Sequence, residues 1–331
     1  MKRNRIWNRY MGFWAACLLL TAALLTGGCA GQEEKEVRVG SLKGPTSLGI
    51  LFLMDRAGKG ETEHAYEFRM AVGGDELLPL MAKGEMDIAL LPANVAAVLY
   101  QKTQGAVAVA DINTLGVLYL VTGTEDISEP ADLKGRTIYL TGKGTTPEAS
   151  LRYVLQCSGL DQEDYVLEFR SEPTEVAALL AEDPSAVGLL PQPFVTAALI
   201  QNQDLKVALD LNREWEKVQG PEGSGMVTGV TVVCREFLEE NRAAVEEFLQ
   251  EHRNSVAAAG EDLQTAAALA VEAGIVGAEP VARQAIPQCN IVCITGQEMK
   301  EALSGYLEVL YDFDAGLVGG ALPGEDFYYL P

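Results

Sequence analysis

Along the chain, the pattern of hydrophobic and polar residues alternates regularly between two types. Short apolar runs, typical of buried parallel strands, alternate with longer segments whose apolar residues recur every three or four positions, as in amphipathic helices. This order predicts βαβ units and therefore an α/β protein. Strands are predicted at 36–41, 66–72, 86–91, 107–112, 115–123, 137–141, 165–170, 186–190, 205–211 and 227–233. Helices are predicted at 45–55, 75–83, 95–101, 147–157, 172–182, 236–260 and 299–311.

The pattern repeats itself along the chain at an offset of about 100 residues. Three short segments recur in the same order, each in the same place relative to its predicted strand. They are Lys43-Gly44-Pro45-Thr46 and Lys143-Gly144-Thr145-Thr146, Glu67-Phe68-Arg69 and Glu168-Phe169-Arg170, and Leu90-Leu91-Pro92 and Leu189-Leu190-Pro191. Self-similarity at a fixed spacing predicts a duplicated structure with two similar lobes.

In each repeat, a strand runs into a glycine-containing loop and then into a helix. The first N–H groups of a helix lack intrahelical partners and carry partial positive charge, so they favour an anion or a polar ligand atom. The alternative is that these hydroxyl residues are ordinary helix N-caps. Lys43 and Lys143 could face an anion, but the favoured interpretation is that both are solvated, as exposed lysines normally are. The candidate ligand-binding residues of the two loops are Pro45, Thr46, Ser47, Thr145 and Thr146.

Further candidates follow the third strand of each repeat and the segment that returns to the first lobe. Asn94 lies at the carboxyl end of a predicted strand, where ligands of open α/β sheets bind, and Gln192 takes the corresponding place in the second repeat. Trp215, Met226 and Thr228 are predicted to form an apolar or stacking wall, although a large aromatic such as Trp215 is also typical of core packing.

The N-terminus has the order of a secretory signal. Four cationic residues precede an apolar run from Met11 to Leu25, and Thr26-Gly27-Gly28-Cys29 follows. We predict a signal peptide at 1–28 and an exported mature chain. Residues 29–36 are then a short tether in front of the folded part.

Composition limits the partners. The chain has 331 residues, of which 48% are hydrophobic, and this is long enough for two lobes with cores of their own. Its formal net charge of −22 repels nucleic acid and anionic lipid surfaces, so we expect no nucleic-acid partner.

Cysteine and histidine chemistry points away from catalysis and from metal. Cys157, Cys234, Cys289 and Cys293 are expected to be buried free thiols, with a bond between distant cysteines left open, and no histidine lies near them in sequence. The two histidines, His64 and His252, are expected at the surface, and neither follows a nucleophile motif. We therefore predict no metal, no cofactor and no catalytic residues.

Several motifs resemble one family of binding proteins. Gly27-Gly28-Cys29 resembles a bacterial lipobox, although Thr26 stands where the pattern favours Leu. Together with Asp132-Leu-Lys-Gly135 and the run from Asp87 to Asn94, it resembles the substrate-binding lipoproteins of ABC importers. The chain is most similar to the family of nitrate-, sulfonate-, taurine- and thiamine-precursor-binding proteins. Its loop 142–146 departs from the Ser-rich loop of the sulfonate binders.

This resemblance implies a type II periplasmic-binding-protein fold with two βαβ lobes, a two-strand hinge and a ligand cleft between the lobes. It implies lobe 1 at 37–121 plus 229–331 and lobe 2 at 122–228. It also implies lipidation of Cys29, anchoring outside the cytoplasm at the bacterial cell membrane, and capture of a small solute by hinge closure. An ABC permease and ATPase are then the partners.

The ligand class and two other functions stay open at this stage. An anion, a sulfonate and a heterocycle such as a pyrimidine fit small polar loops equally well, so we expect a small anionic or heteroaromatic solute. The alternatives are an enzyme of the same fold, of the thiamine-precursor or menaquinone type, or a ligand-sensing module for a membrane receptor.

Overall fold

The apolar runs of the sequence become the strands of two separate sheets. The computed structural model describes residues 36–124 and 126–331, with the side chain of Asp75 left aside. In this part the strands are β1 Val37–Leu42, β2 Tyr66–Ala71, β3 Ile88–Pro92, β4 Val107–Leu115, β5 Leu118–Thr122, β6 Thr137–Leu140, β7 Val166–Phe169, β8 Val187–Pro191, β9 Lys206–Asp210, β10 Val227–Cys234 and β11 Ile291–Thr295.

Helices connect these strands and cover the sheets. They are α1 Pro45–Leu48, α2 Leu51–Gly58, α3 Gly74–Ala82, α4 Ala93–Lys102, α5 Thr146–Cys157, α6 Pro173–Glu182, α7 Phe194–Gln201, α8 Leu211–Gln219, α9 Arg235–Glu240, α10 Arg242–Glu261, α11 Leu263–Glu272, α12 Glu279–Ala285 and α13 Gly296–Phe313. Short 3-10 turns lie at Pro130–Leu133, Gln162–Asp164, Ile286–Gln288, Ala315–Val318 and Glu325–Phe327.

The two sheets have the same strand order over five strands. The first sheet runs β2-β1-β3-β10-β4-β11, with β11 as an additional edge strand, and the second runs β7-β6-β8-β5-β9. In each sheet three parallel strands are followed by an antiparallel strand that comes from the other half of the chain: β10 pairs with β3 and β4, and β5 pairs with β8 and β9. This exchange confirms the predicted α/β fold with duplicated βαβ halves.

The chain passes between the sheets twice. It leaves the first sheet between β4 and β5, and it returns between α8 and β10. Residues Val37–Pro331 form one compact unit, and the lobe boundaries inside it stay a prediction. The predicted signal peptide and Cys29 lie outside the described residues. Among the described helices, none combines the length and the hydropathy that crossing a membrane requires.

Burial on both faces explains why the central strands are apolar throughout. Leu90 and Leu91 are successive residues of β3, point to opposite faces and are both fully buried. Helices therefore cover both faces of the first sheet, as in doubly wound folds. Strands at the sheet edges are less enclosed, and Val166 of β7 is 54% exposed.

Two predicted helices are each divided into two. The helix predicted at 45–55 breaks at Gly49 and Ile50 into α1 and α2. A Cβ on Gly49 would lie 2.9 Å from Nε2 of His252, so the chain comes too close to α10 here for any larger residue. The helix predicted at 236–260 breaks at Asn241, whose φ of −132° and ψ of 44° lie outside the helical region and end α9 before α10 begins.

Candidate functional site

A cavity of about 520 Å³ lies between the two sheets. Four parallel strands, β1, β3, β6 and β8, run toward it with their carboxyl ends, and Leu42, Pro92, Thr141 and Pro191 line it. The exchanged strands begin at the same edge, because Leu118 of β5 pairs with Pro191 and Gly229 of β10 pairs with Pro92. The carboxyl edge is where open α/β sheets bind their ligands.

The first glycine loop reaches the cavity through Pro45 and Thr46. The helix after it, α1, is only four residues long and has no side-chain cap. The Thr46 and Ser47 hydroxyls turn back and donate to the carbonyl of Leu42, at 3.4 and 2.6 Å. Ser47 is fully buried and does not line the cavity. The interpretation of these hydroxyls as helix caps is therefore wrong.

The second glycine loop reaches the cavity through Thr145 and Thr146. The loop turns at Gly142 and Gly144, whose φ values of 76° and 74° lie in the left-handed region that favours glycine. Thr145 precedes α5, but its hydroxyl donates back to the carbonyl of Gly142 at 2.7 Å and does not cap the helix. The backbone N–H of Gly144 donates to the Glu148 carboxylate at 2.7 Å.

Asn94 holds the second loop in place from the first half of the chain. Its side chain is fully buried at the start of α4, and its Nδ2 donates to the carbonyls of Gly144 and Leu317 at 3.0 and 3.2 Å. Its Oδ1 accepts from the Thr146 hydroxyl at 3.3 Å. Asn94 therefore lies directly behind the cavity surface and does not itself line it.

The remaining predicted residues divide between the cavity and the core. Thr228 lines the cavity, and Met226 is buried in the hydrophobic core. Trp215 is fully buried between Tyr153 and Tyr306, with its indole N–H donating to the carbonyl of Ser224 at 2.7 Å, so it is a packing residue here. Gln192 does not line the cavity, and its Oε1 accepts a hydrogen bond from the Thr196 hydroxyl.

Apolar side chains that the sequence analysis missed form the walls. One group comes from α3 and α4, and on the other side Leu118 comes from β5 and Phe194 from the start of α7. The missed signal was the spacing of Val95 and Val98, one helical turn apart on the helix that follows the third strand. The wall residues are Leu78, Val95, Val98, Leu118 and Phe194.

The charge of the cavity is opposite to that of the whole chain. Lys43 and Lys143 line it, and among the side chains that the structure describes none of the lining residues is acidic. Both lysines are solvent-exposed, and Nζ of Lys143 lies 5.7 Å from the ring centre of Phe169. In a protein of net charge −22, an acid-free surface with two cations provides a local anion-favouring field.

The positions of the histidines and cysteines differ in part from those expected from the sequence. His252 is fully buried, and its Nδ1 lies 2.9 Å from the Asp111 carboxylate, so the surface position expected for it is wrong. His64 is half-buried beside Glu247. The four cysteines in the described part of the chain are free thiols, as predicted, but only Cys289 is fully buried. Burial raises its pKa to about 12.

Comparison with solved structures identifies the fold. An ABC transporter protein from Parabacteroides distasonis is 25% identical with a TM-score of 0.72, and the match covers 89% of this chain and 98% of that one. The periplasmic aliphatic sulphonate binding protein SsuA from Escherichia coli is 16% identical, with a TM-score of 0.72 and coverage of 90% and 92%. The alkanesulfonate-binding protein SsuA from Xanthomonas axonopodis pv. citri, bound to MOPS, is 15% identical, with a TM-score of 0.67 and coverage of 87% and 94%.

These likenesses define the class: the chain has the periplasmic-binding-protein fold. The model of the NMT1/THI5-like family matches residues 70–266, which is more than half of the chain. The chain therefore belongs to the NMT1/THI5-like family, and the resemblance found in the sequence is confirmed. A comparison with curated proteins found no match.

Proposed function

We propose that this protein is the solute-binding lipoprotein of an ABC importer and that it captures a small organic anion with an apolar body. The solute lies in the cavity between the two glycine loops and touches both halves of the chain. No covalent bond is made or broken, so the protein is a binder and not an enzyme. Export, lipidation at Cys29 and delivery to a permease with its ATPase belong to the same proposal.

One observation supports the choice of an anion: the cavity lining combines Lys43 and Lys143 with apolar walls and lacks a described acidic side chain. A cationic solute would find no counter-charge there, whereas an anionic group gains attraction from both lysines. The apolar walls favour a hydrocarbon body, because removing apolar surface from water stabilises the complex by about 25 cal/mol per Å². Phe194 is the aromatic side chain of the lining, so an aliphatic or a small aromatic body both fit.

The hydrogen bonds behind the cavity support closure as the binding mechanism. Asn94 in the first half holds Gly144 and Thr146 in the second half, so the second loop is positioned by a contact that bridges the two sheets. A solute that touches both loops stabilises the arrangement in which they face each other, in proportion to its differential affinity for it. The structural neighbours, an ABC transporter protein and two sulfonate-binding proteins, agree with this role.

The test is thermal unfolding of the full-length chain in mild detergent with ligands matched in size. The set is hexanesulfonate and hexanoate as anions, hexylammonium as the cation, hexanol as the neutral form and a substituted pyrimidine as the heterocycle. A ligand that binds only the native state stabilises it by about 2.7 kcal/mol at 100 times its Kd. We expect stabilisation by hexanesulfonate or hexanoate and none by hexylammonium.

Two results would contradict the proposal. Stabilisation by hexylammonium or by the pyrimidine alone would show that the cavity does not select an anion. Chemical turnover of any ligand, followed by NMR of the small molecule, would favour an enzyme. The variant Lys83→Met, at an exposed residue outside the cavity lining, serves as the control for unspecific loss of charge.

A further inference from the structure

We propose that Asp111, His252 and Cys293 form a binding site for Zn²⁺ between the first sheet and helix α10. One donor atom of each residue contributes, and these three atoms lie within 4.8 Å of one another. None of the three residues lines the solute cavity, so the site is independent of the function proposed above.

The fold brings these residues together from three separate segments. Asp111 lies in the middle of β4, and β11 pairs with β4 so that Thr295 stands opposite it. Cys293 lies two residues before Thr295 and therefore on the same face of the sheet. A register shift between Ile291 and Ile294 displaces the strand at this point.

Helix α10 covers that face and supplies the histidine. Its buried residues recur every three or four positions, which gives the helix one inward stripe that includes His252. The ring fits only because Gly49 has no side chain, since a Cβ there would lie 2.9 Å from Nε2. The imidazole is therefore fixed in position by packing before any ligand arrives.

The distances are close to those of a zinc site. Nδ1 of His252 lies 2.9 Å from Oδ2 of Asp111, and Sγ of Cys293 lies 3.8 Å from the same oxygen. Around a tetrahedral Zn²⁺, bond lengths of about 2.0–2.3 Å separate such donor atoms by roughly 3.3–3.6 Å. Two of the three separations are therefore within about half an ångström of those in a coordination shell, and Nδ1 of His252 and Sγ of Cys293 lie within 4.8 Å of each other.

An unpaired polar atom is the second observation that points to a ligand. Asp111 and His252 are both fully buried, and within the described part of the chain Oδ1 of Asp111 has no hydrogen-bond partner. Buried polar atoms are almost always paired, because an unpaired one costs about 1–3 kcal/mol. Direct coordination by both carboxylate oxygens would satisfy the one that is now unpaired.

Charge and donor type select the metal. Zn²⁺ with one thiolate, one carboxylate and a neutral imidazole gives no net charge, which removes the penalty for buried unpaired charge. Nitrogen, oxygen and sulfur donors in one shell suit Zn²⁺, whereas Mg²⁺ and Ca²⁺ require oxygen donors. The Cys293 thiol gives up its proton when the metal binds, because a thiolate is the ligand form of cysteine.

The experiment is a titration of the reduced full-length chain with Co²⁺ alone, followed by Zn²⁺. Cobalt bound to a thiolate gives a sulfur-to-metal charge-transfer band and intense visible bands when four-coordinate. We expect one equivalent of Co²⁺ to produce these bands and Zn²⁺ to remove them. Zn²⁺ should also raise the unfolding temperature.

Matched variants locate the site. In Cys293→Ser the charge-transfer band should disappear, and in Cys234→Ser, which changes another half-buried free thiol of the same sheet, it should be unchanged. Asp111→Asn keeps the shape of the side chain and should weaken Co²⁺ binding about 10-fold or more. A wild-type chain without the band, or a band that persists in Cys293→Ser, would overturn the proposal, and circular dichroism of each variant confirms that it is folded.

Discussion

The two glycine loops begin with the same Lys-Gly pair, yet the structure holds them in different ways. The first loop leads into the four-residue α1 and is held by its own hydroxyls, which bond to the strand that precedes it. The second leads into the twelve-residue α5, and in addition to the local bonds of Thr145 and Glu148 it is held from the other half of the chain by Asn94. The repeated Lys-Gly segments therefore place both loops at the cavity. Residues that are not repeated, such as Asn94, determine which bonds hold each loop.

This difference assigns different roles to the two loops. The first loop is a local element of its own half, whereas the second depends on a contact between the halves. A solute in the cavity therefore contacts a first loop that is formed without the other half, and a second loop whose position depends on contact between the halves. Substitutions in and around the two loops test whether they have these different roles.

Asn94→Leu removes the bond between the halves. It leaves the carbonyls of Gly144 and Leu317 without their donor in a buried setting, and this should lower the free energy of unfolding by about 3 kcal/mol. Urea unfolding measures it. Gln101→Leu is the control on the same helix, because its acceptors, the carbonyls of Ala321 and Leu322, are at an exposed contact. Equal losses in the two variants would contradict the role of Asn94.

Lys43→Met and Lys143→Met test whether both loops face the solute. Each change removes one cation from the cavity lining and keeps the length of the side chain. Each should weaken binding of the stabilising anion by about 10-fold, the equivalent of about 1.4 kcal/mol. Isothermal titration calorimetry measures it. If only one of the two substitutions weakens binding, the solute contacts one loop only. This would contradict the proposal that the solute binds to both loops.

Ser47→Ala separates structure from binding within the first loop. Ser47 is fully buried outside the cavity lining and its hydroxyl donates to the carbonyl of Leu42, so its loss should cost about 1 kcal/mol of stability and leave anion affinity unchanged. Thr46→Val is the matched change at the neighbouring residue that does line the cavity, and it should lower the affinity. Loss of affinity in Ser47→Ala would show that the structural assignment of Ser47 is wrong.

Glu148→Gln tests the carboxylate that accepts a hydrogen bond from the second loop and has no counterpart at the first. Glu148 accepts from the N–H of Gly144 and pairs with Arg152 at 2.8 Å. Neutralising it removes a negative charge behind the cavity, and this should raise anion affinity about 2- to 5-fold while stability falls by about 1 kcal/mol. Calorimetry at low ionic strength measures the first effect, and an unchanged or reduced affinity would argue against an anion in the cavity.

The smallest effect concerns the crossover to the second half, which has no counterpart in the first. Backbone N–H groups of Ser128 and Glu129 donate to Asp132 and hold the pKa of its carboxyl below the usual value. The lowered pKa contributes stability above the ordinary pKa, and this stability is lost as the pH falls through the folded-state value. Asp132→Asn should therefore have a flatter stability profile at acidic pH than the wild type, and parallel profiles would contradict this.

The sequence predicts the sheets and the loops well because both depend on local signals. Apolar runs such as 88–91 have one stable environment, a buried strand, and the repeated Lys-Gly loops follow such runs. Asn94 and Trp215 show the limit. Their side chains find partners through tertiary packing, and for Asn94 these partners lie 50 and 223 residues away in the chain.

The same limit applies to the buried cluster behind the first sheet. Asp111 and His252 are 141 residues apart, and Asp111 and Cys293 are 182 apart, so no spacing in the sequence connects them. A charged residue inside the otherwise buried apolar strand β4 was the available signal, since an aspartate in such a place requires a partner.

Amide hydrogen exchange of the two loops tests the central claim most directly. The claim is that one solute bridges both loops, and exchange reports each loop separately through peptides that cover 43–47 and 142–146. With saturating hexanesulfonate, or hexanoate if that is the anion that stabilises the chain, we predict slower exchange in both loops at the same ligand concentration. Protection of one loop alone, or of neither, would contradict it.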